Sequence, residues 1–283
     1  MNRTLTPIGV FDSGYGGLTV LREIRRMMPE YDYLYLGDNA RAPYGPRSFE
    51  RVYEFTLQAV RALFDCGCPL IILACNTASA KALRSIQQHD LPRLFPPEEG
   101  QSLPSRRVLG VIRPTAEVVG DITRSGHIGI VATQGTVSSR TYELEIAKLH
   151  PDLKVSAQAC PMWAPLVENG EADGPGADYF VQRDLQRLMQ RDPLIDTIIL
   201  GCTHFPLLLN KVRAYAPAHV RIIPQGEYVA SSLHDYLQRH DQLDRQLTRG
   251  GSVHYLTTEQ PNSFAATATT FIGQPIEAEH IDL

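Results

Sequence analysis

The chain has 283 residues, enough for one large or two medium domains, each with its own core. It is 43% hydrophobic and 20% charged, the composition of a soluble globular protein. A net charge of -4 gives no support for nucleic-acid binding or a polybasic membrane patch, and no apolar run approaches the roughly 20 residues that span a bilayer.

Apolar runs of strand length alternate with longer segments of helical period, which predicts an α/β fold. Strands are expected over residues 7–11, 33–36, 69–74, 107–111, 127–131, 154–159, 197–200 and 219–223. After the first, Leu18, Leu21, Ile24 and Met28 recur at steps of three and four, one face of a helix. After the second comes the loop Gly37-Asp38-Asn39-Ala40-Arg41-Ala42-Pro43-Tyr44-Gly45. Pro43 and Gly45 fix a turn there, and Tyr44 either closes over a ligand or only completes that turn. Val52, Phe55, Ala59 and Leu63 mark a second helix, with Ser48 as its N-cap. Leu91 to Arg106 is rich in proline and is expected to cross between domains, and Val167 to Ala177 reads as a loop. After about residue 208 there is too little chain for a third domain. The expected organisation is therefore a discontinuous first domain, 1–97 plus 208–283, and a second domain, 98–207.

Two stretches follow one design. Leu70-Ile71-Ile72-Leu73-Ala74-Cys75-Asn76-Thr77 and Thr197-Ile198-Ile199-Leu200-Gly201-Cys202-Thr203-His204 each run an apolar strand into a small residue, a cysteine and polar groups. Upstream of each lies another matched pair, Ile8-Gly9-Val10 leading to Asp12-Ser13-Gly14 and Ile128-Gly129-Ile130 leading to Thr133-Gln134-Gly135. The order is the same in both halves, so a duplicated unit places one cysteine at the rim of each copy. In parallel sheets ligands bind beyond the carboxyl ends of the strands, where Asp12, Ser13, Cys75, Asn76, Thr133, Cys202 and His204 all fall. A thiol is a suitable base for a carbon acid: its ordinary pKa of about 8.5 is lowered by a helix N-terminus or a nearby cation. Two thiols across a cleft suit proton transfer to either face of one carbon, with inversion as the outcome. The plainer alternative is a pair of buried structural cysteines. Asp12 has four readings: a proton carrier, a group that orients Cys75, an ammonium partner or a helix cap. His204 either assists Cys202 or is structural. Asn76, Thr77 and Thr203 are candidate carboxylate donors at helix N-termini or ordinary cap residues.

Other motifs carry less. Gly14-Tyr15-Gly16-Gly17 invites a dinucleotide-binding reading with Asp38 as the ribose acid, but Thr19 stands where the third glycine belongs. None of the four lysines, Lys81, Lys148, Lys154 and Lys211, lies at a predicted strand end, so a pyridoxal Schiff base is not expected. Cys66, Cys68 and Cys160 are assigned to packing. Five cysteines form no regular disulfide framework, and Met1 to Pro7 carries no apolar signal region. A reduced, cytoplasmic protein is expected.

With these motifs assembled, the sequence resembles the cofactor-independent glutamate racemases of the aspartate/glutamate racemase superfamily. The resemblance rests on Gly9-Val10-Phe11-Asp12-Ser13-Gly14-Tyr15-Gly16-Gly17-Leu18, on Gly37-Asp38 through Pro43-Tyr44-Gly45, on Ala74-Cys75-Asn76-Thr77-Ala78-Ser79 and on Gly201-Cys202-Thr203-His204-Phe205-Pro206-Leu207. Cys160-Pro161 through Leu166-Val167-Glu168 also matches, whereas the stretch after Arg249 matches weakly and Arg113-Pro114-Thr115 departs from the family pattern. The fold implied is α/β, two pseudo-symmetric parallel-sheet α/β domains facing each other across a cleft. The activity implied is interconversion of L- and D-glutamate without a cofactor or metal, supplying D-glutamate for peptidoglycan. By that resemblance Cys75 takes the α-proton from D-glutamate and Cys202 from L-glutamate. Asp12 and His204 assist the thiols, and Glu168 supports His204. Asp12, Ser13, Tyr44, Gly45, Asn76, Thr77, Thr203 and His204 bind substrate, and Thr133 and Thr136 add contacts from the second domain. Glutamate is the expected partner, with no nucleic acid and no membrane; some members of the family dimerise, and a homodimer is left open here because that property does not carry over. Three rival readings stay open: an aspartate racemase, a binding protein in which Cys75, Cys202 and His204 ligate zinc, and a cysteine hydrolase that leaves one thiol idle.

Overall fold

Every residue of the strands Ile8–Asp12 (β1), Tyr33–Gly37 (β2) and Leu70–Leu73 (β3) is buried. Strands that are apolar on both faces belong in a parallel sheet covered by helices on each side. The computed structural model, which describes residues 5–96 and 105–283, has that arrangement twice. Arg107–Gly110 (β4) completes a first group in the spatial order β2-β1-β3-β4, all parallel. His127–Ala132 (β5), Lys154–Ala159 (β6), Thr197–Gly201 (β7) and Arg221–Pro224 (β8) form a second sheet in the order β6-β5-β7-β8, also parallel. The two orders are the same once β1 is matched to β5 and β3 to β7, as the paired sequence motifs require.

All eight expected strands form, within two residues of their predicted ends. The expected helix faces form too. Leu18, Leu21 and Ile24 are buried in the helix Gly17–Met27, and Ser48 caps the helix Phe49–Asp65 by accepting a hydrogen bond from the Arg51 N–H.

Three features differ from expectation. First, β4 pairs with β3 and β8 with β7, so the chain passes between the sheets at Val111 and again at Gln225, not near residues 98 and 208. The reason is topological: a parallel pair needs a crossover connection, and the chain from Asn76 to Arg106 is the crossover that returns β4 beside β3. It carries helices to Leu94, and its proline-rich residues 97–104 lie outside the described residues. Second, the expected loop at Val167 to Ala177 is shorter, because helices run over Trp163–Glu168 and from Pro175 onward. Third, two further strands, Val253–Thr257 (β9) and Glu279–His280 (β10), extend the first sheet beyond β2. The chain after Gln225 thus returns to the first sheet.

The core runs across both units. Leu18, Leu21 and Ile24 share one cluster with Val181, Leu185, Leu200, Phe205 and Leu233. Within it, Tyr35 of β2 sends its hydroxyl to the Gly14 carbonyl, 2.8 Å away, and so ties the loop after β1 to the sheet. Tyr35→Phe leaves that buried carbonyl unpaired. It is expected to destabilise the protein by about 1–3 kcal/mol, measured by urea unfolding, and a loss below a few tenths would show that the loop is held elsewhere.

Candidate active site

Four strand ends build the site. β1 delivers Asp12 and Ser13, β3 delivers Cys75, β5 delivers Thr133 and β7 delivers Cys202. Cys75 is the N-cap of the helix Asn76–Lys81, its Sγ receiving the Ala78 N–H at 3.5 Å, and Thr133 caps Gln134–Ser139 by receiving the Thr136 N–H at 3.3 Å. The chain after Cys202 instead enters a tight 3-10 turn, Phe205–Leu208, before the helix Leu209–Tyr215.

The two thiols have different neighbours. Ser13 Oγ lies 3.4 Å from Cys75 Sγ. Burial, the Asp12 carboxylate and the charge of Cys202 push the Cys75 thiol up to about 12, against the opposing bonds from Ser13 and Ala78. His204 Nδ1 lies 3.8 Å from Cys202 Sγ, and its Nε2 lies 2.8 Å from Glu168 Oε1. Burial works against a charged imidazole, but the bonds and charges of Cys202 and Glu168 outweigh it and raise His204 to about 10. At neutral pH the ring is therefore a cation donating from both nitrogens. It also meets the Phe271 ring edge-on at 5.5 Å, and Tyr15 stacks on Phe271 and Phe264.

Asp12 is fully buried, and burial raises its carboxyl above the ordinary carboxylate range although His204 pulls it down. It receives the Gly14 N–H at 2.9 Å and the Thr203 hydroxyl at 3.4 Å. Thr19 donates its hydroxyl to the Thr203 carbonyl at 2.9 Å and so holds that loop from the first unit. Gly16 lies beneath the same loop. A Cβ there would stand 2.2 Å from Thr203 Oγ1 and 2.6 Å from His204 Nδ1.

The hydroxyls of Thr77, from the first unit, and of Thr133 and Thr136, from the second, lie 3.0–3.3 Å from one another. Gly45 packs on Thr133, a Cβ there coming within 3.2 Å of it. Asn76 is buried, its side-chain amide engaged by Gln225 and Tyr142. Of the two readings of Tyr44, its side chain fits the turn. Its ring is buried against Phe11 and Phe55 and its hydroxyl is bonded to Asp38, so it is anchored and does not close over a ligand. Asp38, considered as a ribose acid, instead organises this loop by holding Arg41, Tyr44 and Thr258. Among the described residues, no group of three or more His, Cys, Asp or Glu side chains is arranged to hold a metal ion, so the zinc reading finds no ligand set.

Sequence reasoning gave no part in the site to Thr19, Phe271, Tyr142 or Gln225, and it read Gly16 only within the glycine motif. Of the first four, Gln225 alone had a signal, since it too follows the carboxyl end of a strand.

The Asp/Glu/hydantoin racemase family pattern matches residues 8–231, which takes in all four strand ends. The chain belongs to that family. A glutamate racemase of Dinoroseobacter shibae is 40% identical to it over 97% of this chain and 98% of its own length. Among solved structures, a glutamate racemase isoform of Bacillus anthracis superposes with a TM-score of 0.86 at 37% identity, covering 99% of each chain. The glutamate racemase of Francisella tularensis, in complex with D-glutamate, superposes with a TM-score of 0.83 at 28% identity, covering 99% of this chain and 98% of its own. The two-sheet architecture is thus shared with solved glutamate racemases.

Two outcomes follow from the geometry. Gly16→Ala forces Thr203 and His204 away from the first unit and is expected to cost about 1–3 kcal/mol of stability. Urea unfolding measures this, and an unchanged midpoint would mean the loops part freely. Glu168→Gln removes one of the two groups that raise His204, so its imidazole should titrate at lower pH than the wild type's value of about 10. NMR of labelled histidine reads this directly, and an unmoved titration would place the stabilising charge elsewhere. In stability terms, the His204 contribution is complete below the ordinary histidine pKa of 6.5 and is lost as pH rises through about 10.

Proposed function

We propose that this protein interconverts L- and D-glutamate by proton transfer at the α-carbon, with Cys75 and Cys202 as the two acid/base groups and no cofactor. The observation that carries this reading is the matched placement of the thiols. Each follows the third strand of an equivalent four-strand unit, and both are buried. The family membership and the glutamate racemases among its relatives support the same substrate.

In the resting site Cys75 keeps its proton, as its raised pKa requires, and the His204 cation beside Cys202 stabilises negative charge on that sulfur. L-Glutamate gives its α-proton to the Cys202 thiolate. The electron pair left on carbon spreads into the α-carboxylate, and Cys75 delivers its proton to the opposite face. The product is D-glutamate, with Cys202 now a thiol and Cys75 a thiolate, the state that takes D-glutamate back.

Asp12 and Ser13 assist Cys75, and His204, backed by Glu168, assists Cys202. The hydroxyls of Ser13, Thr77, Thr133, Thr136 and Thr203, with the backbone after Cys75 and around Tyr44-Gly45, supply donors for the two carboxylates. Closure matters to this chemistry, since both sulfurs and His204 are no more than 6% exposed and a carbanion is short-lived in contact with water. D-Glutamate made in this way would supply peptidoglycan synthesis in the cytoplasm.

The test follows optical rotation and the α-proton signal of each enantiomer in D2O without added cofactor. Rotation should decay to zero from both sides with deuterium gained at the α-carbon. Inertness toward glutamate with turnover of aspartate would shift the substrate assignment. Cys75→Ser or Cys202→Ser should lower kcat/KM by about 10³-fold or more. Because the enantiomers are equal in free energy, that loss must be the same in both directions, so isotope exchange is the discriminating measurement. Cys75→Ser should wash deuterium into L-glutamate only and Cys202→Ser into D-glutamate only. Exchange into both by either variant would overturn the face-specific roles.

A further inference from the structure

The chain crosses between the two sheets at Val111 and at Gln225, each the residue after the fourth strand of its unit. The Gln225 side chain is buried at this double crossing and joins four groups. Its Nε2 donates to the Val111 carbonyl at 3.2 Å, to Thr115 Oγ1 at 3.1 Å and to the Tyr142 hydroxyl, two hydrogens shared among three acceptors. Its Oε1 receives Asn76 Nδ2 at 2.8 Å. Tyr142, in the second unit, then donates its hydroxyl to Asn76 Oδ1 at 2.7 Å.

These bonds close a ring in which every donor has one direction: Asn76 to Gln225, Gln225 to Tyr142, Tyr142 to Asn76. The ring fixes which end of the Asn76 amide is oxygen. All three side chains are buried, so no water competes for the bonds. Asn76 is the first residue of the helix that Cys75 caps, and its backbone moves with that thiol.

We propose that Gln225 and Tyr142 are positioning residues for the proposed racemisation. Through this ring, the relative setting of the two sheets at their crossing fixes Asn76, and with it the reach of the Cys75 sulfur. A purely structural ring would stabilise the fold without distinguishing one thiol from the other. The inference rests on the racemase reading for its kinetic consequence, but its geometric content does not.

Two measurements on Tyr142→Phe, Gln225→Glu and wild type test it. Tyr142→Phe removes the one oxygen that both receives Gln225 and supports Asn76, and Gln225→Glu keeps the shape but loses the donors. The first measurement is kcat and KM with each glutamate enantiomer. Each variant is expected to lose about tenfold in kcat with KM within about twofold, and the double variant should be no worse than the poorer single one, as groups acting as one unit behave. The second is the alkylation rate of each cysteine by iodoacetamide, mapped by peptide mass spectrometry without substrate. Cys75 should react several-fold faster in both variants while Cys202 and Cys68 stay within twofold of wild type.

Unchanged kcat with a lowered melting temperature, or equal acceleration at all three cysteines, would reduce the ring to a structural tie and overturn the proposal. A rise in KM alone would assign the ring to substrate binding and overturn it equally. If wild-type protein does not racemise glutamate, the racemase reading fails, while the alkylation pattern still decides whether the ring governs Cys75.

Discussion

The loop after β7 can lie against the loop after β1 only because Gly16 has no side chain there. Thr203 and His204 come from one sheet, Asp12 and Cys75 from the other, and the site exists only where the carboxyl ends of both meet. A parallel sheet presents its strand ends in a row, so a single unit offers functional groups on one side of a ligand. Two units brought tip to tip offer them on both sides. That arrangement brings side chains of one unit against the backbone of the other, closer than a Cβ tolerates. Gly16 meets the demand under Thr203 and His204, and Thr19 then holds the Thr203 carbonyl.

Closure of this kind sets the electrostatics. With water excluded, each charge must be answered by another group in the site. Asp12 meets a backbone amide and a hydroxyl, while the His204 cation lies between a sulfur and a carboxylate. The consequence is asymmetry between thiols that the sequence presents as equivalents. Cys75 lies beside a buried carboxyl and Cys202 beside a cation, so the two-fold plan of the fold carries a one-way distribution of charge.

Much of this is legible in the residues alone. Continuous apolar runs such as Leu70–Leu73 and Ile198–Leu200 mark buried parallel strands, and the rule that ligands gather beyond strand ends singles out Asp12, Cys75, Thr133 and Cys202. The parts that are not legible depend on tertiary placement. Tyr142 reaches Asn76 from a helix of the other unit, and a sequence window gives no sign of such a contact. Tyr44 lies in a loop of turn-forming residues, which conceals that its ring is packed between Phe11 and Phe55. β9 alternates between half-buried and exposed positions before it reaches Tyr255, a pattern too weak to stand out beside the central strands. The boundary between the units is hidden because proline in a crossover connection looks the same as proline in a linker.

The residues from Val111 to Gln225 begin and end at neighbouring points, the Gln225 amide resting on the Val111 carbonyl 3.2 Å away. In topological terms the second unit is a loop insertion whose entry and exit coincide. The first sheet surrounds it in sequence yet loses nothing from its own strand order, since β4 is already paired before the chain departs and the helix Gly226–Gln238 resumes on return. Such a layout lets the inserted half vary in length, in surface and in the loops it presents while both its anchors stay fixed. Changes in loops of the inserted half that lie away from the shared core therefore leave the order of the first sheet untouched.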